Sequence, residues 1–292
     1  MILVFGSINI DVLVPVPRLP LPGETVLGGD HALLPGGKGA NQALAARRAG
    51  AVVRMAGAVG TDAFAGLALE NLRRDGVDLD LVRRVARPTG CAAIMVNAAG
   101  ENLIAVASGA NKEAAAASVP EALLGPDTIL VCQMEVPAAE TSALIRRAGA
   151  AGARTLLNLA PAAPIEPALF GDIDILIANA GEAASLGADP AALARRLRQA
   201  LVVTSGAAGS AAFLADGGRL DIPPLAIEPI DTTGAGDTFV GVLAAGLDRR
   251  LPLPAALRQA SAGGALACLA RGAQSAMPGR AAIEAAAARL PG

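Results

Sequence analysis

The chain is 292 residues long, 53% hydrophobic and 17% charged, with a formal net charge of -2. With no basic run and only 2% aromatic residues it lacks the footprint of a nucleic-acid binder, and no uninterrupted apolar run approaches a membrane span. The three cysteines, Cys91, Cys132 and Cys268, are widely spaced and odd in number, which suits neither a disulfide framework nor a zinc site and fits a reducing, cytoplasmic setting.

The opening run MILVF reads as a buried strand over residues 1–8. It is broken by Gly6, Asn9 and Asp11 and has no basic segment or small-residue cleavage site, so a signal peptide is not expected. Asn9 and Asp11 lie two apart and share a face if the chain is extended. At the exit of a parallel strand that face looks into a ligand crevice, where the pair suits hydrogen bonding to a polyol; Asx-turn chemistry is the other use for such a pair. Residues 12–34 then alternate Pro and Gly with β-type residues and lack a helical period. His31, the only histidine, falls here, in a stretch that reads as surface or strand.

PGGKGANQALAARRAG (35–50) is a glycine-rich turn entering a helix. It is not a P-loop, because Gly39 follows Lys38 where a Mg²⁺-binding hydroxyl is needed. A strand at 52–60 and an amphipathic helix at 64–76 follow. Residues 89–106 return to exposed-strand character around an Ala99–Asn102 turn. The segments 12–34 and 89–106 are thus expected to pair as antiparallel strands in a small sheet, a lid over the crevice. From residue 127 the βα alternation is regular. Strands are expected at 128–134, 154–160, 175–179, 201–206 and 211–215, with helices at 137–150 and 190–200. This predicts an α/β fold with a mainly parallel central sheet and helices on both faces. It is read as one domain, 1–292, with the lid formed by two insertions.

The stretch IDTTGAGDTFVGVLAAG (230–246) carries the most chemistry. A glycine-bearing loop ends at a helix N-terminus, where free N–H groups and the helix dipole make an anion site. Asp237 falls in the first helical turn. A carboxylate there either caps the helix or takes a proton from an attacking hydroxyl while the N–H groups hold a phosphoryl group. A dinucleotide fingerprint is excluded, since Phe239 occupies a required glycine position. A long helical region (253–270), the segment 271–280 and a last helix (281–290) complete the chain.

GSINID (6–11), PGGKGANQ (35–42), GEN and GAN (100–102 and 109–111), DTTGAGDTF (231–239) and GAQSAMP (272–278) together resemble the ribokinase family of sugar kinases, the PfkB group, in order and spacing over nearly the whole chain. The resemblance implies a ribokinase-like three-layer fold and an ATP-dependent phosphotransferase. GSINID with PGGKGANQ directs the expectation to D-ribose, phosphorylated at O5. A nucleoside, deoxyribose or fructose derivative as acceptor, or a non-catalytic sugar-binding protein on the same scaffold, are the alternatives.

It also implies residue roles. Asp237 is the expected base, with Gly234, Ala235 and Gly236 forming the anion hole. Asn9, Asp11, Gly37, Lys38, Asn41 and Glu135 are expected to contact the sugar. Asn179 and Glu182 match an Asn-x-x-Glu element near the phosphates and Mg²⁺, although Ala178–Glu182 lacks the usual Pro. Thr204, Ser205, Gly206 and Gly209 would line the nucleotide, with Ser261 where many members carry Asn. A monovalent cation, K⁺, would be held by Asp231 and the carbonyls of Thr233, Ala267, Ala270 and Gly272. Ala276, beside Ser275, stands where a hydroxyl residue is often found. A homodimer through the lid is expected, with Val12, Leu13 and Val14 as exposed apolar edges.

Overall fold

The computed structural model describes residues 1–290, so the expected domain of 1–292 extends past them at its C-terminal end. In chain order the strands are β1 (Ile2–Phe5), β2 (Asn9–Pro15), β3 (Ala32–Gly36), β4 (Val53–Val59), β5 (Asp78–Arg84), β6 (Gly90–Val96), β7 (Asn102–Ala107), β8 (Ile129–Cys132), β9 (Arg154–Asn158), β10 (Ile175–Asn179), β11 (Ala200–Thr204), β12 (Ser210–Leu214) and β13 (Arg219–Ile222). The helices are α1 (Lys38–Arg48), α2 (Ala63–Ala68), α3 (Glu70–Arg74), α4 (Ala138–Ala150), α5 (Ala180–Ser185), α6 (Pro190–Ala194), α7 (Ala235–Asp248), α8 (Leu253–Ala267), α9 (Ala273–Ala276) and α10 (Arg280–Ala287).

Nine strands make the central sheet, in the order β13-β12-β11-β10-β9-β8-β1-β4-β5. All its pairings are parallel except β11 with β12 and β12 with β13. The central strands are continuous apolar runs because both faces are covered. Ile2 and Val4 of β1 pack on one side with Leu44 of α1, Val240 of α7 and Leu257 of α8. Their neighbours Leu3 and Phe5 point the other way, into a cluster with Leu144 and Ile145 of α4 and Leu193 of α6. The period-2 alternation of side chains thus feeds two cores from one strand.

The second sheet has the order β3-β2-β6-β7. It is built from the two insertions expected to form the lid, but its central seam differs from expectation. β2 runs parallel to β6, while the outer pairs are antiparallel. Asn9 and Asp11 therefore belong to a lid strand and not to the exit of β1. Val12, Leu13 and Val14 are half-buried, because β2 is paired on both sides. The free edges are β3, which exposes Leu33 and Leu34 at 37% each, and β7, where Leu103, Ile104 and Val106 are more exposed at 43%, 55% and 54%.

Other differences follow from tertiary context. β5 and β13 were not expected; they are edge strands whose charged, half-exposed residues give little apolar signal. The helix expected over 64–76 is divided at Leu69 into α2 and α3. The helix expected over 190–200 stops at Ala194. Beyond it Arg198 and Gln199 donate backbone N–H groups to the carbonyls of Ile173 and Asp174, which aligns the chain for entry into β11. The helix expected to 270 ends at Ala267.

The contact that positions the site is between α1 and α7. A Cβ on Gly241 would lie 2.5 Å from the Gln42 carbonyl and 2.8 Å from the Ala46 nitrogen, so only glycine allows this approach. Backbone cannot yield as a flexible side chain would. Gly241→Ala should therefore destabilise the protein by about 1 kcal/mol or more, because overpacking outweighs the ~1 kcal/mol gained in helix propensity. A urea midpoint at or above that of the parent would contradict this packing.

Candidate active site

Two glycine turns bring the N-termini of α1 and α7 together below the lid. Gly234 precedes α7 in a left-handed conformation at φ 75°, and a Cβ there would meet Ala273 at 2.8 Å. Gly37 precedes α1 at φ 88°, and its Cβ would lie 2.7 Å from the Asn9 nitrogen. Both positions need a residue that tolerates positive φ and close backbone approach.

Asp237 sits in the first turn of α7 and is 7% exposed. Asn41 Nδ2 donates to its Oδ2 at 2.9 Å, and Gln42 Nε2 donates to its Oδ1 at 2.9 Å. Burial raises its pKa; Lys38 and the two amide donors pull it down, Glu135 pushes it up, and it remains above the ordinary carboxylate value. Such a group is a stronger base than a solvated carboxylate. At the helix start the Ala235 N–H is taken by the Thr232 carbonyl and the Thr238 N–H by Gly234. The N–H groups of Gly236 and Asp237 have no acceptor within the helix, and they are the ones available to an anion.

On the lid side, Glu135 Oε2 accepts from Ser7 Oγ at 2.5 Å and from the Lys38 N–H at 3.1 Å. Ser7 Oγ accepts in turn from the Gly39 N–H. Asn9 is buried, and its Oδ1 accepts from Asn111 Nδ2 at 2.7 Å. Asn111 also grips the backbone of Ile8, accepting from its N–H at 2.9 Å and donating to its carbonyl. It thus acts as a strand partner where the chain crosses from β1 to β2. Asp11 has its pKa raised to about 6 by burial and by the charges of Glu135 and Asp237, with Lys38 opposing. Burial works against the charge on the Lys38 ammonium, but Asp237, Glu135, Glu182 and Asp11 surround it and outweigh that effect, so its pKa is raised.

A cleft of about 150 Å³ opens at the C-terminal ends of the parallel strands, lined by Lys38, Asn158, Asn179, Thr204, Gly234 and Asp237 among others. It is where open α/β sheets bind ligands. Asn179 and Glu182 flank it and form a capping box at α5: Asn179 Oδ1 accepts from the Glu182 N–H and Glu182 Oε2 from the Asn179 N–H, both at 2.8 Å. One carboxylate oxygen is left to face the cleft.

Behind the α7 N-terminus a second loop pair meets. Asp231 Oδ1 accepts from the N–H of Thr233 and from its hydroxyl, and Oδ2 accepts from the Gly272 N–H at 2.8 Å. These donors and Arg271 hold its pKa below the ordinary value against the opposing effect of burial.

Most of the expected residues fall into three groups. Lys38, Asn179, Glu182, Thr204, Gly234, Gly236 and Asp237 line the cleft. Asn9, Asp11, Gly37 and Glu135 lie on its lid side, whereas Asn41 faces the carboxylate of Asp237. Asp231, Thr233, Gly272 and, at the end of α8, Ala267 belong to the region behind, with Ala270 and Ala276 on the same C-terminal segment. Ser205 and Gly206 are in an exposed turn outside the cleft lining. Gly209 has a packing reason to be glycine, since a Cβ would meet the Ile222 carbonyl at 2.3 Å. Ser261 Oγ reaches the Pro223 carbonyl at 3.5 Å. Ser7, Gln42 and Asn111 carry no role in the sequence reading, although all three lie inside its motifs, GSINID, PGGKGANQ and GAN.

A sheet with a cleft at its strand ends, a helix start with free N–H groups and a buried carboxylate beside them fit a phosphotransferase of the carbohydrate kinase class. The chain belongs to the pfkB family of carbohydrate kinases, whose model matches residues 1–280. It is 36% identical to the ribokinase of Bacillus subtilis over 289 residues, covering 97% of this chain and 98% of that one. Among solved structures it is similar to the ribokinase of Thermotoga maritima, with a TM-score of 0.91 and 29% identity over 98% of both chains. It is also similar to the Arabidopsis thaliana ribokinase, solved with ribose and ATP, with a TM-score of 0.88 and 31% identity over 98% of both chains.

Asp11 gives the site a pH signature. Its raised pKa means that it is ionised above about 6 and protonated below. A sugar hydroxyl that donates to Asp11 needs the ionised form, so the apparent Kd should rise about tenfold per pH unit below that value. Calorimetric titration with a pentose between pH 5 and 7.5 checks this. The Asp11→Asn variant should bind more weakly and without that dependence. A flat wild-type profile would contradict the role of Asp11.

Proposed function

We propose that this protein is an ATP-dependent D-ribose kinase that transfers the γ-phosphoryl group of ATP to O5 of the sugar, giving D-ribose 5-phosphate. The observation that carries this reading is the place of Asp237: a buried carboxylate beside the free N–H groups of α7, facing the lid-side polar residues on one flank and the cleft on the other. The near-full-length likeness to ribokinases, one of them solved with ribose and ATP, supports the choice of sugar.

In this mechanism Asn9, Asp11, Gly37, Lys38 and Glu135 hold the hydroxyls of the sugar, and Asn41 reaches the sugar from its place against Asp237. The O5 hydroxyl donates its proton to the Asp237 carboxylate as the oxygen bonds to the γ-phosphorus, and the bond from that phosphorus to the bridging oxygen of ADP breaks. The N–H groups of Gly236 and Asp237, with Lys38 nearby, balance the charge that develops on the phosphoryl oxygens. Thr204 to Gly209 and Ser261 would border the nucleotide. Closure of the β2-β3-β6-β7 sheet would exclude water, the competing acceptor.

Two ions fit the residues present. The free oxygen of Glu182, with Asn179, suits Mg²⁺, which takes few protein carboxylates and keeps waters and phosphate oxygens; bound there it would neutralise phosphate charge. The ionised Asp231 and the carbonyls of Thr233, Ala267, Ala270 and Gly272 are a hard oxygen set of the kind that suits K⁺. Ala267 is the last residue of α8, so its carbonyl lacks a helical partner. A cation there would steady the loop before α7. None of the described helices is long and apolar enough to cross a membrane.

A homodimer formed through the lid is part of the proposal. The support is the free edge of β7, which exposes Leu103, Ile104 and Val106, a surface that invites strand pairing.

Asp237→Asn should lower kcat by about 10²–10⁴, with ribose binding largely retained; near-normal turnover to ribose 5-phosphate would remove Asp237 as the base. For the assembly, sedimentation at micromolar concentration should show a dimer that Ile104→Lys converts to monomer. A monomeric parent protein would contradict the lid interface.

A further inference from the structure

The two amides on Asp237 are not isolated. Asn41 Oδ1 accepts from Gln274 Nε2 at 3.1 Å, and Gln274 Oε1 accepts from Asn71 Nδ2 at 2.9 Å. On the other side, Gln42 Oε1 accepts from Gln133 Nε2 at 2.7 Å. Two arms of carboxamides therefore converge on one carboxylate. One runs Asn71, Gln274, Asn41; the other runs Gln133, Gln42. They come from α3, α9, α1 and the segment after β8. Asn41, Gln42, Gln133 and Gln274 are each at most 6% exposed.

The polarity of both arms follows from the carboxylate. An ionised Asp237 only accepts, so Asn41 and Gln42 must turn their NH₂ groups towards it. Their oxygens then face outward and each requires a donor, which fixes Gln274 and Gln133 in turn. Asn71 completes the first arm. The second arm ends on Gln133 Oε1, which is buried without a hydrogen-bond partner. A Cβ on Gly6 would fall 1.8 Å from that oxygen. Turning Gln133 over would set two amide oxygens against each other, so the unpartnered acceptor is the consequence of aiming every donor inward. Protonating Asp237 would weaken both hydrogen bonds, because a neutral carboxyl group accepts less strongly than a carboxylate.

We propose that Gln42 and Gln274, backed by Gln133 and Asn71, are positioning residues that hold the Asp237 carboxylate ionised and fixed in rotation for the sugar hydroxyl. The inference rests on the reading of Asp237 as the base. Each oxygen of the carboxylate spends one acceptor site on an amide and keeps another for the incoming proton. The outer members, Gln274 and Asn71, act through Asn41 and need no contact with sugar or nucleotide.

The test measures kcat and KM for ribose from pH 5.5 to 9 in the parent protein and in Gln42→Leu, Gln274→Met and Asn71→Leu, with circular dichroism to establish folding. Losing a donor raises the pKa of the base. The acid limb of kcat should move to higher pH in Gln42→Leu, by about one pH unit, and by less in Gln274→Met and Asn71→Leu. On the pH plateau, where the base is ionised in both proteins, kcat should still fall about tenfold in Gln42→Leu because the carboxylate is no longer fixed in rotation, while KM changes less than about threefold. Gln274→Met keeps nearly the same side-chain length, adds no charge and cannot donate, so it serves if Gln42→Leu fails to fold. Wild-type acid limbs in the folded variants would overturn the positioning role. Asp237→Asn, assayed alongside, separates the two failures. Near-normal turnover there removes the base itself, whereas its inactivity together with unmoved limbs in the amide variants removes only the arms.

Discussion

The structure depends on keeping one negative charge in a dry place. Asp237 is almost fully buried at the start of α7. Burying an ion carries a penalty on the order of several kcal/mol. Hydrogen bonds to a charged group return about 1.5–3 kcal/mol each, so the two amide donors offset much of it, and the helix start and Lys38 act in the same direction. The balance leaves the carboxylate more basic than a solvated one, which suits it to accept a hydroxyl proton. A fully solvated carboxylate would be a weaker base, and one without donors would be protonated.

That requirement explains the packing around it. The donors sit on α1, so α1 and α7 must touch closely. Gly241 permits this one turn beyond Asp237. Gly37 and Gly234 then set the two helix starts at the same end of the cleft. The lid begins from the same point: Asn111 ties down Ile8, and β2 leaves directly with Asn9 and Asp11. Base, anion site and sugar side are thus linked through a few short backbone approaches, and a shift in one of them is felt in the others.

Much of this was legible in the sequence. Asp231–Asp237 announced a loop at a helix start because left-handed turns need glycine and first turns favour acids. The parallel sheet was visible in its apolar runs, and the lid insertions in their loss of helical period. Strand partners were not visible. The parallel β2·β6 seam joins segments some 80 residues apart, and no local pattern records which strand lies between two others. Nothing local therefore separates Val12 to Val14, on an interior strand, from β7, on an edge. β5 escaped notice because Asp78, Asp80, Arg83 and Arg84 interrupt its apolar residues. Gln42, Gln133 and Gln274 were silent because a neutral amide in a motif carries no charge signal; its role depends on what it faces after folding.

The central claim is that this site moves phosphate to one particular hydroxyl. The most direct measurement is a coupled ADP-release assay over a panel of pentoses, hexoses and nucleosides, with the product identified by phosphorus NMR. The account predicts the highest kcat/KM for D-ribose, with the phosphate coupled to the C5 protons of the sugar. A higher kcat/KM for a nucleoside or hexose, phosphate on another ribose oxygen, or ADP release that does not depend on any acceptor would contradict it.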